Sequence, residues 1–454
     1  MARDVTDSTA ISSRDELVAW IAEGEKGAGP FLIGTEHEKI PFYRANRAPI
    51  PYDDGVGALL HGLKRETGWA AIDDDGALIG LLDEHGGGAV SLEPGGQFEL
   101  SGAPLDTVHQ TLAEFDEHMA ALKRVAEPLG IGFLDLGMSP QWTLAETPIM
   151  PKQRYGIMRR YMPTVGARGL DMMFRTATVQ ANFDFASEAD MVRKLRVSLA
   201  LQPMTTALFA NSPFTDGRPN GYLSMRSEIW RHTDAARTGM MHYAFRPGMG
   251  YEAYVDFALK APLYFVKRGG VYHDVAGAQF SDLLAGRLAQ APGERATLSD
   301  WANHLSTIFP EVRLKRYLEM RGADVGPRSH IAAAPALFAG LLYDTAALDA
   351  ASALIGAWTD ADRQHMRDAA PKLGLATPIQ GRTLREVALD ALRIAEGGLA
   401  RRARRNAAGQ DETIYLSPLW AIADSGRSLA AERLAAYEGP WRRSVAPAFE
   451  SCVF

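Results

Sequence analysis

The stretch MMFRTATVQANFDF, residues 172–185, alternates polar and apolar side chains. Thr176, Thr178, Gln180, Asn182 and Asp184 fall on one face of an extended chain; Ala177, Val179, Ala181, Phe183 and Phe185 fall on the other. This reads as a half-buried strand with an unusually polar open face. GTEHEKI, residues 34–40, raises the same point more sharply. In a strand Leu32, Glu36, Glu38 and Ile40 share a face, so two carboxylates stand side by side. Like charges so close raise each other's pKa unless something cationic lies between them. Either that face is simply wet, or it holds a metal ion.

Further out, the pattern repeats. GAVSLEPGGQFELSG (88–102) reads as two strands hinged at Pro94-Gly95-Gly96, with Ser91 and Glu93 on one face of the first arm and Gln97, Glu99 and Ser101 on one face of the second. VRLKRYLEMRGAD (312–324) alternates with Tyr317, Glu319 and Arg321 together. Helices fill the intervals. Ser13 and Glu16 make a capping-box pattern, residues 104–128 and 187–210 have helical spacing with a bend expected near Pro203, and 211–221 is a turn-rich loop. Beyond residue 330 the chain reads as mostly helical to about 436, with Thr383 and Glu386 as another capping box. The predicted class is α+β, an antiparallel sheet with packed helices whose open face is a site. No linker-like segment divides the chain, so residues 1–454 are expected to form a single domain, with 331–454 as its mostly helical C-terminal part.

Composition narrows the setting. Of 454 residues 46% are apolar and 23% charged, enough to bury a large core. A net charge of −7 argues against general affinity for nucleic acid or anionic membranes. Cys452 is the single cysteine, which excludes an internal disulfide and any multi-cysteine metal site; its place near the terminus predicts an exposed, mobile thiol. The N-terminal MARDVTDSTAISSRDE has no apolar run and does not read as a signal peptide. IAAAPALFAGLLY (331–343) is too short to span a membrane of roughly 20 residues and reads as a core helix. The expectation is a cytoplasmic protein without membrane or nucleic-acid partners.

Two side-chain sets carry chemistry. Glu36, Glu38, Glu93, Glu99 and Glu319, with Gln180 and Asn182 as neutral oxygen donors, suit a hard cation such as Mg²⁺. Each glutamate alone is better explained as a solvated strand position, but several strands each carrying a polar face weaken that explanation together. Lys152, Arg154 and Arg226, from PKQRYGIMRRYMP and SMRSEIW, would complete the charge balance around phosphate; the alternative is a set of surface charges. P-loop, nucleophile-elbow, HExxH and kinase signatures are absent. His37 and His85 are lone histidines, and RRARR (401–405) reads as a helix end.

GTEHEK, SLEPGGQFELSGAPL, MPKQRYGIMRRYMP, GLDMMFRTATVQANFDF, ALFANSPFTDGRPNGYLSMRSEIW and IFPEVRLKRYLEMRGAD, in this order, resemble the plant-type glutamate–cysteine ligases (gamma-glutamylcysteine synthetases), and the chain is read as a bacterial member. The resemblance runs from about residue 30 to 345 and fades in the C-terminal helices. It implies a curved antiparallel sheet of glutamine synthetase-like architecture. It implies ATP-dependent joining of L-glutamate to L-cysteine through γ-glutamyl phosphate, the first step of glutathione biosynthesis. It assigns two or three Mg²⁺ ions to Glu36, Glu38, Glu93, Glu99 and Glu319, with Gln180 and Asn182 on the ATP/metal face. It gives Lys152 and Arg154 the transferring phosphoryl group, Arg226 the α-carboxylate of glutamate, and Tyr155 and Tyr264 the cysteine pocket. A monomer or weak homodimer is expected. Plant members are controlled by disulfides, which one cysteine cannot provide. A γ-glutamyl ligase with another amine acceptor, a guanidino kinase-like phosphotransferase and a silent metal–nucleotide binder are the competing readings.

Overall fold

The computed structural model describes residues 7–454; the first six residues, part of the stretch considered for a leader, lie outside it. Nine strands form one antiparallel sheet: β1 (Ile33–Tyr43), β2 (Ala70–Asp74), β3 (Ala77–Leu82), β4 (Ala89–Leu92), β5 (Phe98–Ser101), β6 (Ile131–Leu134), β7 (Thr178–Phe183), β8 (Val312–Leu314) and β9 (Leu318–Asp324). The order is β8-β9-β7-β1-β5-β4-β3-β2, and β6 pairs with the far end of β1. β1 is central: Glu36 opposes Gln180 on β7 and Ser101 on β5, and Glu38 opposes Glu99. Opposed residues of an antiparallel pair share a face, so the polar alternations seen separately in the sequence fall on one surface.

The reverse face is the core. His37, Leu100, Val179 and Ala181 point there, beneath the helices Val108–Ala126 and Arg328–Leu342. Phe115 packs its ring edge on His37 at 5.1 Å, and Phe338 lies 6.2 Å from Phe183. IAAAPALFAGLLY is a buried helix, as its composition suggests. It crosses the helix Leu384–Arg402 so closely that a Cβ on Gly398 would lie 1.9 Å from the Gly340 carbonyl oxygen. Among the described residues no single helix is long and apolar enough to cross a membrane; the pair Arg328–Leu342 and Thr345–Ile355 passes only when joined across a 92° bend. RRARR does end a helix: Arg401 pairs with Asp344, Arg402 with Glu412 and Arg404 with Asp106.

Three expectations need correction. The strand expected over 172–185 begins only at Thr178, because Gly169–Arg175 is a helix. The helical contacts are an Asp171–Arg175 pair four residues apart and a bond from the Thr176 hydroxyl to the Met172 carbonyl, which a period-two reading overlooks. Residues 312–324 form two strands turning at Lys315–Tyr317, which sets Arg313 directly opposite Glu319. Cys452 is buried, 2% exposed: its carbonyl accepts the Asp135 N–H at 3.0 Å, and the Arg433 Nε–H points at its Sγ at 3.2 Å.

Candidate active site

The polar face of the sheet walls a cavity of about 110 Å³. Glu36 and Glu38 reach it from β1 and Glu99 from β5. Glu93 comes from the β4–β5 hairpin tip, which is docked onto the chain entering β7: the Gln97 amide donates to the Thr176 carbonyl at 2.8 Å, and its oxygen accepts the Gly95 N–H at 2.9 Å. Gly95 is required there, since a Cβ would lie 2.1 Å from the Phe174 carbonyl oxygen. Arg154, Arg226, Arg313 and Arg321 line the same cavity. Tyr155, Met158, Met172, Met173, Trp230 and Phe309 supply the apolar part of the wall.

The electrostatics is that of carboxylates crowded out of water. Burial raises the Glu38 carboxyl well above its ordinary range, Glu93 and Glu99 push it further, and Arg226 only partly opposes them. Glu93 is raised by burial and by Glu99. Glu38 accepts the Thr178 N–H at 3.0 Å. Glu36 accepts from the Asn182 amide at 2.9 Å, and Glu99 from the Ser101 hydroxyl at 2.5 Å. Burial pushes the Arg226 guanidinium down, against the pull of Asp324 and Glu38.

Glu319 stands apart from the other four glutamates. It is fully buried and lines neither this cavity nor the one beside it. Arg313 grips it with Nη2 at 2.7 and 2.8 Å, Lys315 lies 3.0 Å away, and Arg321 donates to it as well. Burial alone would raise this carboxyl, but the three cations hold it well below its usual range. Glu319, which the sequence suggested as a metal ligand, thus meets three cationic side chains in this arrangement. Arg321 then reaches across to Gln180 Oε1 at 2.6 Å.

Two other residues, Lys152 and Tyr264, fall elsewhere than expected. Lys152 precedes the helix Gln153–Val165 and turns inward, its Nζ donating to the Leu92 carbonyl at 2.8 Å and the Tyr155 hydroxyl at 3.3 Å; it does not line the cavity. The Tyr155 hydroxyl donates to the same carbonyl at 2.7 Å, so Lys152 and Tyr155 brace the hairpin arm that ends in Glu93. Tyr264 does not line the cavity: it is buried behind the wall, with the Arg237 guanidinium 3.9 Å above its ring. The position after a helix in APLYFV gives no sign of which way its ring turns. Asn182 faces a second, wider cavity of about 580 Å³ with Gly34, Asp83, Glu84, Ser101, Asp184 and Tyr317. Glu36 lines both cavities.

Arg313 and Arg321 are functional candidates that the sequence patterns did not single out. Their signal was the alternation of 312–324, which places Arg321 beside Glu319; the turn that brings Arg313 in was not visible. As a cation site, the donor set fits by chemistry: Glu38, Glu93 and Glu99 are hard-oxygen donors whose mutual repulsion a cation would relieve. No three acidic, histidine or cysteine side chains among the described residues converge on one point as ligands in this arrangement.

The glutamate–cysteine ligase family 2 model matches residues 32–451. The chain is 50% identical over 442 residues to the chloroplastic glutamate–cysteine ligase of Nicotiana tabacum, covering 97% of this chain and 83% of that protein. The Arabidopsis thaliana enzyme gives the same identity and coverage. Among solved structures, the glutamate–cysteine ligase of Francisella tularensis in complex with AMP aligns with a TM-score of 0.54 at 13% identity, over 96% of this chain and 86% of that one. That likeness speaks for the fold.

Proposed function

The chain belongs to glutamate–cysteine ligase family 2, and from that premise we propose how its two cavities divide the reaction. The activity is ATP-dependent formation of γ-glutamylcysteine, the first step of glutathione biosynthesis. The observation that carries the reading is Glu36, shared by both cavities. The wider one has the size of a nucleotide site, and the Asp83, Glu84 and Asp184 carboxylates on its wall suit ribose hydroxyls and cation-bound phosphates. The smaller one holds the amino-acid substrates. The γ-phosphate enters from one side and meets the γ-carboxylate of glutamate from the other.

The chemistry is two displacements. An oxygen of the γ-carboxylate bonds to the γ-phosphorus as the bond to ADP breaks, giving γ-glutamyl phosphate. The cysteine amine then bonds to the acyl carbon, phosphate leaves, and the amine gives up a proton. Both partners of the first step are anions, so the barrier is chiefly electrostatic. Arg154, Arg313 and Arg321 face the reacting groups and neutralise the phosphoryl oxygens. Arg226 pairs with the α-carboxylate of glutamate, where a planar fork fits. Tyr155, Met158 and Met172 form the less polar wall that suits the thiol side chain. Glu38, Glu93 and Glu99 would hold Mg²⁺, which when bound supplies positive charge between the carboxylate and the phosphates. The lone, buried Cys452 leaves the chain no internal disulfide by which its activity could be controlled, which supports reading it as a member without that control.

The test is product analysis by mass spectrometry after incubation with ATP, Mg²⁺, L-cysteine and L-glutamate labelled with ¹⁸O in the γ-carboxylate. The expected result is γ-glutamylcysteine, ADP, and inorganic phosphate carrying one ¹⁸O. ADP release that requires another amine would make the acceptor different. A phosphorylated amino acid as final product would make the protein a phosphotransferase.

A further inference from the structure

Asp324 lines neither cavity, yet the contacts around it lead to Arg226. β9 carries a bulge between Met320 and Ala323, and the extra residue places Asp324 opposite Thr178, on the face that carries Gln180 and Asn182. The side chain is 1% exposed. Its Oδ2 accepts the Asn211 N–H at 2.9 Å and the Ser212 hydroxyl at 2.6 Å; its Oδ1 accepts the Ser224 hydroxyl at 2.8 Å. Both serines then act on the same short helix, Met225–Arg231. Ser212 Oγ accepts the backbone N–H of Arg226 at 3.1 Å. Ser224 is the N-cap and accepts the Ser227 N–H at 3.1 Å. One buried carboxylate therefore fixes the backbone of Arg226 from two sides.

It also supplies charge. Arg226 is 3% exposed, and among the described residues its guanidinium makes one bond to protein oxygen, Nη2 to the Arg321 carbonyl at 2.9 Å. The rest of the fork lines the cavity. A buried guanidinium needs an anion nearby before substrate arrives. Asp324 is the strongest such influence, ahead of Glu38.

We propose that Asp324 is the positioning residue of Arg226: through Ser212 and Ser224 it sets where the guanidinium stands, and its charge holds the empty fork ready for the substrate carboxylate. Naming glutamate as the substrate whose binding suffers rests on the reading of Arg226 given above; the coupling of Asp324 to Arg226 does not.

The experiment uses the full chain with Asp324→Asn, Ser212→Ala and Arg226→Lys, alone and with Asp324→Asn and Arg226→Lys combined. KM and kcat for glutamate, cysteine and ATP are measured together with the thermal midpoint. Asp324→Asn keeps the size and most of the hydrogen bonds and removes the charge. It is expected to raise the glutamate KM about tenfold with little change in the ATP KM, and Ser212→Ala about threefold. In the Arg226→Lys background Asp324→Asn adds less than about twofold, because the fork it served is gone. A carboxylate that merely stabilises the fold would instead lower the thermal midpoint, leave each KM of the folded protein at the wild-type value, and act independently of Arg226; that result overturns the proposal. If Arg226→Lys raises the KM of ATP or cysteine instead, the substrate assignment is wrong, and Asp324→Asn must then raise that same constant. If Asp324→Asn does not fold, Ser212→Ala decides, and wild-type constants there overturn the proposal.

Discussion

Glu38 and Glu99 stand directly opposite each other on β1 and β5, buried, with Glu93 near enough to raise the Glu38 carboxyl further. Without a cation this arrangement costs stability, and with one it becomes a binding site. The pH dependence follows in sign. The folded state holds the Glu38 proton more tightly than the unfolded chain, so its contribution is fully present below the unfolded pKa and is lost as pH rises through the folded one.

Glu38→Gln should therefore separate stability from activity. The amide keeps the oxygen that accepts the Thr178 N–H and loses the charge. In metal-free buffer the variant should melt higher than wild type at pH 8, with the difference shrinking towards pH 4. Its turnover should fall at least ~100-fold, because charge balance across the phosphates is the main catalytic resource. Wild-type turnover at saturating Mg²⁺ would end the assignment of Glu38 to the metal.

Glu319→Gln makes the opposite prediction for stability. Here three cations lose their shared anion in a fully buried setting. Breaking such a set by removing one partner costs about 3–5 kcal/mol. Urea unfolding without metal should show that loss. A variant as stable as wild type without Mg²⁺, yet weakened in Mg²⁺ dependence, would restore Glu319 to the metal ligands.

These two glutamates mark how far the sequence could be read. The alternation of β1, β5 and β7 is a local property of the backbone, so the order of residues alone groups the polar side chains within each strand, and the pairing of the strands then puts Glu36, Glu38, Glu99 and Gln180 on one face. It carries no information about which cations meet which anions. That depends on the turn at Lys315–Tyr317, which sets Arg313 opposite Glu319, and on the bulge that re-aims Asp324. Tyr264 and Lys152 show the same limit, since each turns inward to partners far along the chain. β2 and β3 have a visible cue: Asp75 and Gly76 both have positive φ, 49° and 79°, the Asp-Gly hairpin preference. A search for alternating polar faces passes over it, because the cue lies in the turn.

Glu114 gives a pH effect away from the chemistry. It lies under the segments beside the wider cavity, accepting the Ala103 N–H at 2.7 Å. Burial raises its carboxyl to about 7, and Asp83 adds to the shift. A raised carboxyl stabilises the fold below the unfolded pKa and loses that contribution as pH rises towards 7. Glu114→Gln keeps the acceptor and should gain up to about 3 kcal/mol over wild type at pH 8, with no gain at pH 4. Chemical unfolding at the two pH values checks it; an equal gain at both would point to packing instead of charge.

Cys452 should be inert. A thiol is reactive as an exposed thiolate, and this one is 2% exposed. Burial raises its pKa, with the nearby Arg433 pulling the other way and Asp135 adding to the rise. With no second cysteine in the chain, no internal disulfide can form. The native protein should react with an aromatic disulfide reagent only at its unfolding rate, and far faster in denaturant. Initial rates after treatment with mild oxidant or with reductant, followed by desalting, should be equal. Cys452→Ser should keep wild-type kinetics and lose about 1 kcal/mol or less, since the serine oxygen can still accept from the Arg433 Nε–H. A several-fold reversible loss on oxidation that disappears in Cys452→Ser would show that the C-terminal segment opens readily enough to expose the thiol, and that its packing against Asp135 and Arg433 couples to the sheet through β6.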